Sequence, residues 1–325
     1  MAKELPPGTK FAGIHLCRCA CRDLPQSVSM GHELLVQTEP VLVLSEMDEG
    51  RIGTDYAAAF RSANLVLVAS RTSETAGILD GESQELERRV YSLLYAIFMH
   101  GVPNYWPGVL TLGSTPVRGA AWANRISLIN DLFRNEDVIA TPVTVERLRD
   151  AERVVPGMIE VFGADPEYTR LRRGINGLVQ GWKARSVLDR LHAFVRALDG
   201  LMKLEQGTGE RQFADKLETF ATSSRLHDIA LEMFRLRSFE EHMSDWPSKL
   251  GYIKEHDRPR FVSRRAAQAE ALAGAAYRTL LGDISLLKQF RNSSLDAFWN
   301  DERERWRLKF DVDAFDAQLS YSGPT

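Results

Sequence analysis

Two side chains suited to phosphate chemistry lie close together near the end of one predicted helix. Arg237 and His242 are separated by four residues within the segment 233–242. A guanidinium stays positively charged and can hold anionic oxygens in pairs, whereas an imidazole takes up or releases a proton near neutral pH. These residue types therefore suggest a site that binds an anion and moves a proton. A simpler explanation stays open, in which Arg237 pairs with Glu241 one helical turn on and His242 is an ordinary residue at a helix end.

A second group of residues follows shortly afterwards and combines positive charge with aromatic rings. Its five cations fall within twelve residues: Lys254, Arg258, Arg260, Arg264 and Arg265. Three rings are interleaved with them: Tyr252, His256 and Phe261. Because cations can follow a phosphate backbone and rings can stack on bases, this stretch predicts an RNA-binding groove. The plainer alternative is a solvated loop that leads into a charged helix start.

All three cysteines of the chain lie in one short stretch, at Cys17, Cys19 and Cys21, with His15 just before them. Their alternation predicts one face of a strand, with neighbouring side chains about 7 Å apart. Zinc needs its ligands about 2.0–2.3 Å from one centre, which a single straight strand does not supply. We therefore predict that these thiols are small apolar groups packed beneath a helix.

Well-known motifs for cofactors and metals are missing from the sequence. It contains neither GxxxxGK[ST] nor GxGxxG, and it also lacks HExxH and GxSxG. Asp311, Asp313 and Asp316 lack the glycine and the distal glutamate of a calcium-binding EF-hand loop. None of these motifs therefore points to a cofactor or a metal.

The composition is that of a globular protein of two units. The chain has 325 residues, of which 44% are hydrophobic and 26% charged, and this excludes a disordered or collagen-like chain. The net charge of −3 excludes a strongly basic polyanion binder, so any contact with nucleic acid must come from a local patch. No apolar run approaches the length of a membrane span or a signal peptide, and the clustered cysteines form no disulfide framework. We therefore expect a cytoplasmic location.

The first part of the chain mixes strand and helix patterns. A helix is predicted over 83–100, with Ser83 as its N-cap and Gly101 at its end. Strands are predicted at four places: residues 11–22, 33–45 (interrupted by Pro40), 64–69 and 108–112.

After Pro142 the strand patterns nearly vanish and helical spacing dominates. Asp165 followed by Pro166 predicts a helix start, and Gly174, Gly177 and Gly181 predict a smooth stripe for close helix packing. Helices are predicted over 144–155, 165–184, 186–205, 212–221, 224–243, 263–290 and 295–306. The fold class is therefore α+β. A mixed domain over 1–142 is followed by an all-α bundle over 143–310 and a tail over 311–325.

Within this helical half the sequence resembles the HEPN superfamily, in particular its ApeA-like branch. The mark of that family is R-x(4–6)-H, with a polar residue after the arginine and an aromatic shortly before it. Arg237, Ser238, His242 and Phe234 fill those positions. The order of the upstream helices also agrees, so that the resemblance covers about residues 165–290. The preceding part of the chain shows no comparable resemblance.

The resemblance implies a metal-independent endoribonuclease of a bacterial defence or toxin system. In that reading the 2′-hydroxyl of RNA attacks the neighbouring phosphate. His242 is then the general base or acid, Arg237 holds the phosphate, and Ser238 adds a hydrogen bond. On a regular helix, residues five apart point about 140° from one another, so Arg237 and His242 do not share a face. The family pairs two domains around one cleft, which predicts a symmetric homodimer.

The sequence departs from the family pattern at two positions. Met243 follows the histidine where glycine is frequent, and Ser238 follows the arginine where nuclease members often carry Asn, Asp or His. These departures put catalytic activity in question more than the fold. The alternative function is therefore a non-catalytic HEPN-like module that binds RNA or a protein. A helical sensor of a small molecule is a third reading, and the first domain is expected to sense or bind an unidentified ligand.

Overall fold

The computed structural model describes most of the chain, and every structural statement below concerns that part. The described residues are 5–41, 44, 46–75, 77–103, 105, 108–115, 122–129, 141–204, 209–219, 225–241, 250–302 and 311–315. Contacts divide the chain into two compact units. Among the described residues, the first unit comprises those up to Ile129 together with 141–159, and the second comprises those from Glu160 onward.

The first unit contains a six-stranded antiparallel sheet. Its strands are β1 (Thr9–Cys17), β2 (Ser27–Met30), β3 (Leu34–Gln37), β4 (Ala63–Thr72), β5 (Gly108–Thr115) and β6 (Trp122–Ile129). They lie in the order β2-β3-β4-β1-β5-β6, and each neighbouring pair is antiparallel. The predicted strand over 11–22 therefore ends early, at Cys17. The next residue, Arg18, takes a φ of 52° and turns the chain out of the strand.

Helices cover both faces of β1, one of the two central strands of the sheet. Successive side chains of a strand point to opposite faces, and every residue of β1 is buried. The helices of this region are α1 (Glu46–Ile52), α2 (Thr54–Arg61) and α3 (Gly81–Met99). Helix α2 packs on β1 and β5, and α3 packs on β1 and β4. Phe60 of α2 joins the apolar core formed by Phe11, Val66, Val68 and Val109.

The start of α3 corrects the predicted Ser83 cap. Asp80 is the N-cap, because its carboxylate accepts the backbone N–H of Ser83 at 2.9 Å. Asp80 also pairs with the ammonium of Lys10, which is buried in β1 and donates to Glu82 at 2.9 Å. Asp and Ser are about equally good N-caps, and the ion pair with Lys10 adds to the interactions of this helix start.

Helix α4 (Val145–Val161) lies almost entirely within the first unit, although the sequence predicted a domain boundary at residue 142. Arg147 donates to the carbonyl of Ile97 at 2.9 Å, and Glu152 accepts the N–H of Gly31 at 2.6 Å. Polar contacts therefore tie α4 to α3 and to the β2–β3 hairpin.

The described elements of the second unit are helical. They are α5 (Thr169–Lys183), α6 (Val187–Asp199), α7 (Gly209–Leu217), α8 (Leu226–Glu241), α9 (Arg258–Leu281), α10 (Ile284–Gln289) and α11 (Leu295–Ala297). A 3₁₀ turn at Pro166–Tyr168 precedes α5, with Asp165 as its cap, as the sequence predicts. Gly282 separates α9 from α10, so the single helix predicted over 263–290 is divided into two. In the predicted tail, residues 312–315 form a helical turn.

The glycine stripe predicted on α5 lies against α6 and α9. A Cβ on Gly177 would approach the carbonyl oxygen of Ala193 to 3.1 Å, and one on Gly181 would overlap the ring of Phe194. At Gly174 a Cβ would overlap the hydroxyl of Tyr277, which is fully buried. The absence of side chains at these positions therefore allows the three helices to pack closely.

The structure confirms the α+β class, with an antiparallel sheet and many helices. The assignment of the second unit to a HEPN-type bundle stays a prediction. Among the described residues, no helix combines the length and apolar character that a membrane span requires.

Candidate functional site

Helix α8 carries the arginine and the serine of the predicted catalytic motif. Its apolar residues are spaced by three or four and are buried: Leu226, Ile229, Ala230, Met233 and Leu236. This spacing fixes the rotation of the helix, which packs against α6, α7 and α9. Arg237 follows the last of these buried residues and is therefore at the margin of the core.

Arg237 is held by a carboxylate and an aromatic ring. Its side chain is 14% exposed, and its Nη1 lies 3.5 Å from Oδ2 of Asp199, the last residue of α6. Its Cζ lies 5.3 Å from the centre of the Phe234 ring, one turn earlier on α8. These two contacts orient the guanidinium at the edge of the packed helices. The sequence motif identified Phe234 but gave no indication of Asp199.

The rest of the predicted motif is only partly described. Ser238 follows Arg237 on α8 and is half-buried. His242 lies outside the described residues, as does Ser224, the first residue of the helix predicted over 224–243. Arg237 and Ser238 are therefore consecutive residues of α8, and the position of the imidazole stays a prediction.

The basic stretch presents fewer cations to solvent than its sequence suggests. Lys254 and Arg260 are exposed, whereas Arg258 and Arg264 are half-buried. Arg258 donates from Nε to the carbonyl of Ile253 at 3.1 Å, so part of its guanidinium stabilises the turn before α9. Tyr252 is 66% exposed and meets Phe261 edge-on, with 6.3 Å between ring centres. An exposed ring and two exposed cations thus remain as groups suited to a nucleic acid.

Arg265 points into the protein instead of toward a ligand. It is 5% exposed, and its guanidinium lies 2.6 Å from Glu232 of α8 and donates to Gln268 at 2.7 Å. Its Cζ also lies 4.7 Å from the centre of the Phe261 ring. The side chain therefore joins α9 to α8 and does not offer its guanidinium to RNA.

Two acidic residues reduce the positive charge of the stretch further. Glu255 and Asp257 alternate with its cations, and both are exposed. His256 lies 3.3 Å from Asp257, with 75% of its side chain exposed. The prediction of an RNA-binding groove considered only the cations and rings. Because these carboxylates lie among them, the positive electrostatic potential of the stretch is weaker than predicted.

Sequence reasoning also missed a group of metal-ligating residue types in the second unit. Within the described residues, Asp215, Glu218 and His227 bring three ligand atoms within 4.8 Å of one another. Nδ1 of His227 lies 3.4 Å from Glu218 and 3.8 Å from Asp215. The residues lie at the surface between α7 and α8, where a charged imidazole would pair with the carboxylates. Eight residues separate Glu218 from His227, so the three residues do not form a short sequence motif.

Comparisons with protein-family models, with curated proteins and with solved structures yield no match to this chain. The resemblance to the HEPN superfamily therefore rests on the motif and on the order of the helices.

Proposed function

We propose that the second unit is a HEPN-like endoribonuclease that cleaves RNA without a metal at a site built from two copies of the chain. The observation that carries the proposal is the oriented Arg237 on α8, with Ser238 beside it and His242 shortly after it in sequence. A side chain already fixed by neighbouring groups loses little freedom on binding a phosphate.

Each residue of the motif has a defined role in this reaction. The 2′-hydroxyl oxygen of one ribose attacks the adjacent phosphorus, and the bond from phosphorus to the 5′-oxygen breaks. His242 either takes the proton of the attacking hydroxyl or gives a proton to the leaving oxygen. Arg237 neutralises the charge that builds on the phosphoryl oxygens, and Ser238 donates a hydrogen bond to one of them. The products are a 2′,3′-cyclic phosphate and a 5′-hydroxyl.

The exposed part of the basic stretch extends this site along the RNA. Lys254 and Arg260 attract the phosphate backbone, and the exposed ring of Tyr252 offers a surface on which a base stacks. Replacing both cations by alanine is expected to weaken RNA binding and to lower the slope of log affinity against log salt by about 0.7 per lost contact. An unchanged slope would remove this surface from the proposal.

One observation favours the alternative, a non-catalytic module that binds RNA or a protein. The carboxylate of Asp199 lies 3.5 Å from Arg237 and offsets part of the charge that a phosphate would need. If Asp199 blocks the site, Asp199→Asn increases RNA binding. If Asp199 orients the arginine for catalysis, the same variant lowers the cleavage rate and leaves binding nearly unchanged.

The test is cleavage of labelled single-stranded RNA by the full chain in the presence of EDTA. Arg237→Ala is expected to lower the rate by about 10²–10³-fold, and His242→Ala by about 10²–10⁴-fold. Arg235→Ala is the matched control, because Arg235 lies on the same helix but pairs with Glu210 at 2.7 Å. Its rate should stay close to that of the wild type.

Two other outcomes of this test would redirect the proposal. RNA binding without cleavage, weakened by Arg237→Ala, favours the non-catalytic module. If the chain neither binds nor cleaves RNA, any role in RNA chemistry is contradicted. The interpretation as a sensor of a small molecule would then be left. Thermal unfolding of each variant checks that a lost rate does not come from a lost fold.

A further inference from the structure

Two of the cysteines lie in a short segment whose backbone is held on both sides. Cys19 and Cys21 follow the end of β1, between Arg18 and Asp23, which take φ values of 52° and 53°. Residues other than glycine seldom adopt such angles, so surrounding contacts must maintain them. The predicted row of thiols on one strand face is therefore wrong beyond Cys17.

The side chain of Asn64 takes the place of a strand partner for Cys19. Its Oδ1 accepts the N–H of Cys19 and its Nδ2 donates to the carbonyl of Cys19, both at 2.8 Å. This clamp lies just past the irregularity where β1 shifts register against β4. Both backbone polar groups of Cys19 are thus satisfied by one residue.

The backbone on either side of Cys21 is fixed by Val143. The N–H of Val143 donates to the carbonyl of Ala20 at 2.8 Å, and its carbonyl accepts the N–H of Arg22 at 2.9 Å. With Cys19 clamped as well, the separation of the two cysteines is set by the fold. The two thiols lie close enough for each to shift the pKa of the other.

The spacing of the pair allows a covalent bond between the sulfurs. Residues two apart in an extended chain have Cα atoms no more than about 7 Å apart. A disulfide needs a Cα separation of about 4.4–6.8 Å, which overlaps the upper part of that range. A bridge across a single residue therefore forms near the limit of its geometry, which makes it easier to reduce again.

A buried cation lies beside the pair. Arg147 is 6% exposed and donates to the carbonyls of Ile97 at 2.9 Å, Thr141 at 2.6 Å and Pro142 at 3.1 Å. The Cys19 thiol donates to the sulfur of Cys21, which lowers the pKa of Cys21, and Arg147 acts in the same direction against the effect of burial. The same hydrogen bond, followed by burial, raises the pKa of Cys19.

The three cysteines differ in solvent exposure and therefore in how easily a reagent reaches them. Cys21 is half-buried, so a small reagent can reach it, whereas Cys19 is buried beside it. Cys17 is 3% exposed and its Sγ lies 3.1 Å from the hydroxyl of Ser62. An accessible thiol whose pKa is lowered, next to a second thiol, has the features of a reactive pair.

We propose that Cys19 and Cys21 form a redox-active dithiol that hydrogen peroxide converts to a disulfide within the first unit. The Cys21 thiolate attacks one peroxide oxygen, the O–O bond breaks, and the departing hydroxide takes a proton to become water. The sulfur of Cys19 then attacks the resulting Cys21 sulfenic acid, the S–S bond forms and the S–O bond breaks. The second hydroxide leaves as water with the proton of Cys19, and the two thiols have given two electrons to the peroxide.

The sequence provides a direct readout of this bridge. Cleavage of the full chain after arginine releases residues 19–22 as one peptide, with Cys17 on the preceding peptide. The folded protein is treated with hydrogen peroxide, and its remaining thiols are labelled with N-ethylmaleimide in denaturant. The chain is then cleaved after arginine, and the masses of the peptides are measured by mass spectrometry. Peptide 19–22 is expected to lose two hydrogen atoms and to carry no label, while Cys17 is labelled. A thiol reductant added before labelling restores two labels on peptide 19–22.

Single variants identify the order of events. Cys17→Ala should leave the bridge unchanged, whereas Cys21→Ala should abolish it. Cys19→Ala should leave a sulfenic acid on Cys21 that dimedone traps. Two labels on peptide 19–22 after peroxide, a bridge to Cys17, a bridge between two chains, or oxidation of Cys21 to a sulfinic acid while Cys19 stays free would each overturn the proposal.

Discussion

Replacing Gly174 by alanine tests whether close packing, more than intrinsic helix preference, determines the second unit. Gly174 lies in α5, where alanine would normally stabilise a helix by about 1 kcal/mol. In this fold the added methyl group would overlap the hydroxyl of Tyr277 and lie 2.9 Å from its Cζ. The ring of Tyr277 is fully buried in α9, so it has little room to move.

The expected cost follows from the contacts that the methyl group would displace. The hydroxyl of Tyr277 donates to the carbonyl of Ala197 at 2.9 Å, and losing that bond in a buried place costs about 1–3 kcal/mol. Overpacking of the surrounding helices adds about 1–3 kcal/mol. After subtraction of the helix preference, Gly174→Ala should lower the free energy of unfolding by about 3 kcal/mol.

The assay is urea unfolding of the wild type, the two single variants and the double variant. Tyr277→Phe removes the overlapping hydroxyl and should cost about 1–3 kcal/mol alone, because the same buried hydrogen bond is lost. The double variant should then be about 1–2 kcal/mol more stable than the sum of the two single effects predicts. Gly209→Ala is the control, because the nearest atom to its added methyl group is Cζ of Phe234 at an ordinary 3.4 Å.

Either of two results would refute this reasoning. Gly174→Ala could prove as stable as the wild type, which would mean that α5 does not approach α9 as closely as described. Alternatively, the costs of Gly174→Ala and Tyr277→Phe could add, which would mean that the hydroxyl is not the group that the methyl displaces.

Three further predictions concern individual polar contacts. Asn64→Ala removes both hydrogen bonds to the backbone of Cys19 and should lower the unfolding free energy in urea by about 2 kcal/mol, with Asn64→Asp intermediate. The hydrogen bond from Arg71 is the main cause that lowers the pKa of Glu85 to about 2, so the stability it provides is present above about pH 4.5 and is lost as the pH falls toward 2. The difference in melting temperature between the wild type and Glu85→Gln should therefore shrink from about pH 5 to about pH 2, and a constant difference would contradict the ion pair. Ser186→Ala removes the cap of α6 and should cost about 0.5–1 kcal/mol, whereas Ser186→Asp should cost nothing measurable.

Local sequence patterns predicted those elements whose stability depends on repeated spacing. The glycines of α5 recur at three and four residues, so they had to share one face, and the structure confirms their close packing. Asp165 before Pro166 likewise predicted a helix start that the structure contains. The identity of Tyr277 as the facing residue was not predictable, because it lies about a hundred residues away in sequence.

Contacts between distant residues explain what the sequence did not predict. Asp80, and not Ser83, caps α3, and it pairs with Lys10 on β1, seventy residues earlier in sequence. Arg265 resembles its exposed neighbours in sequence, but the carboxylate of Glu232 on α8 holds it inside. In both cases a buried cation pairs with a carboxylate that is distant in sequence, and no local pattern indicates that pairing.

The most direct test of the central claim is the chemistry of the RNA ends after incubation with the full chain in EDTA. Metal-independent attack by the 2′-hydroxyl predicts 2′,3′-cyclic phosphate and 5′-hydroxyl ends that disappear in Arg237→Ala and persist in Arg235→Ala. Intact RNA under these conditions, or ends that Arg237→Ala leaves unchanged, would contradict the proposed site.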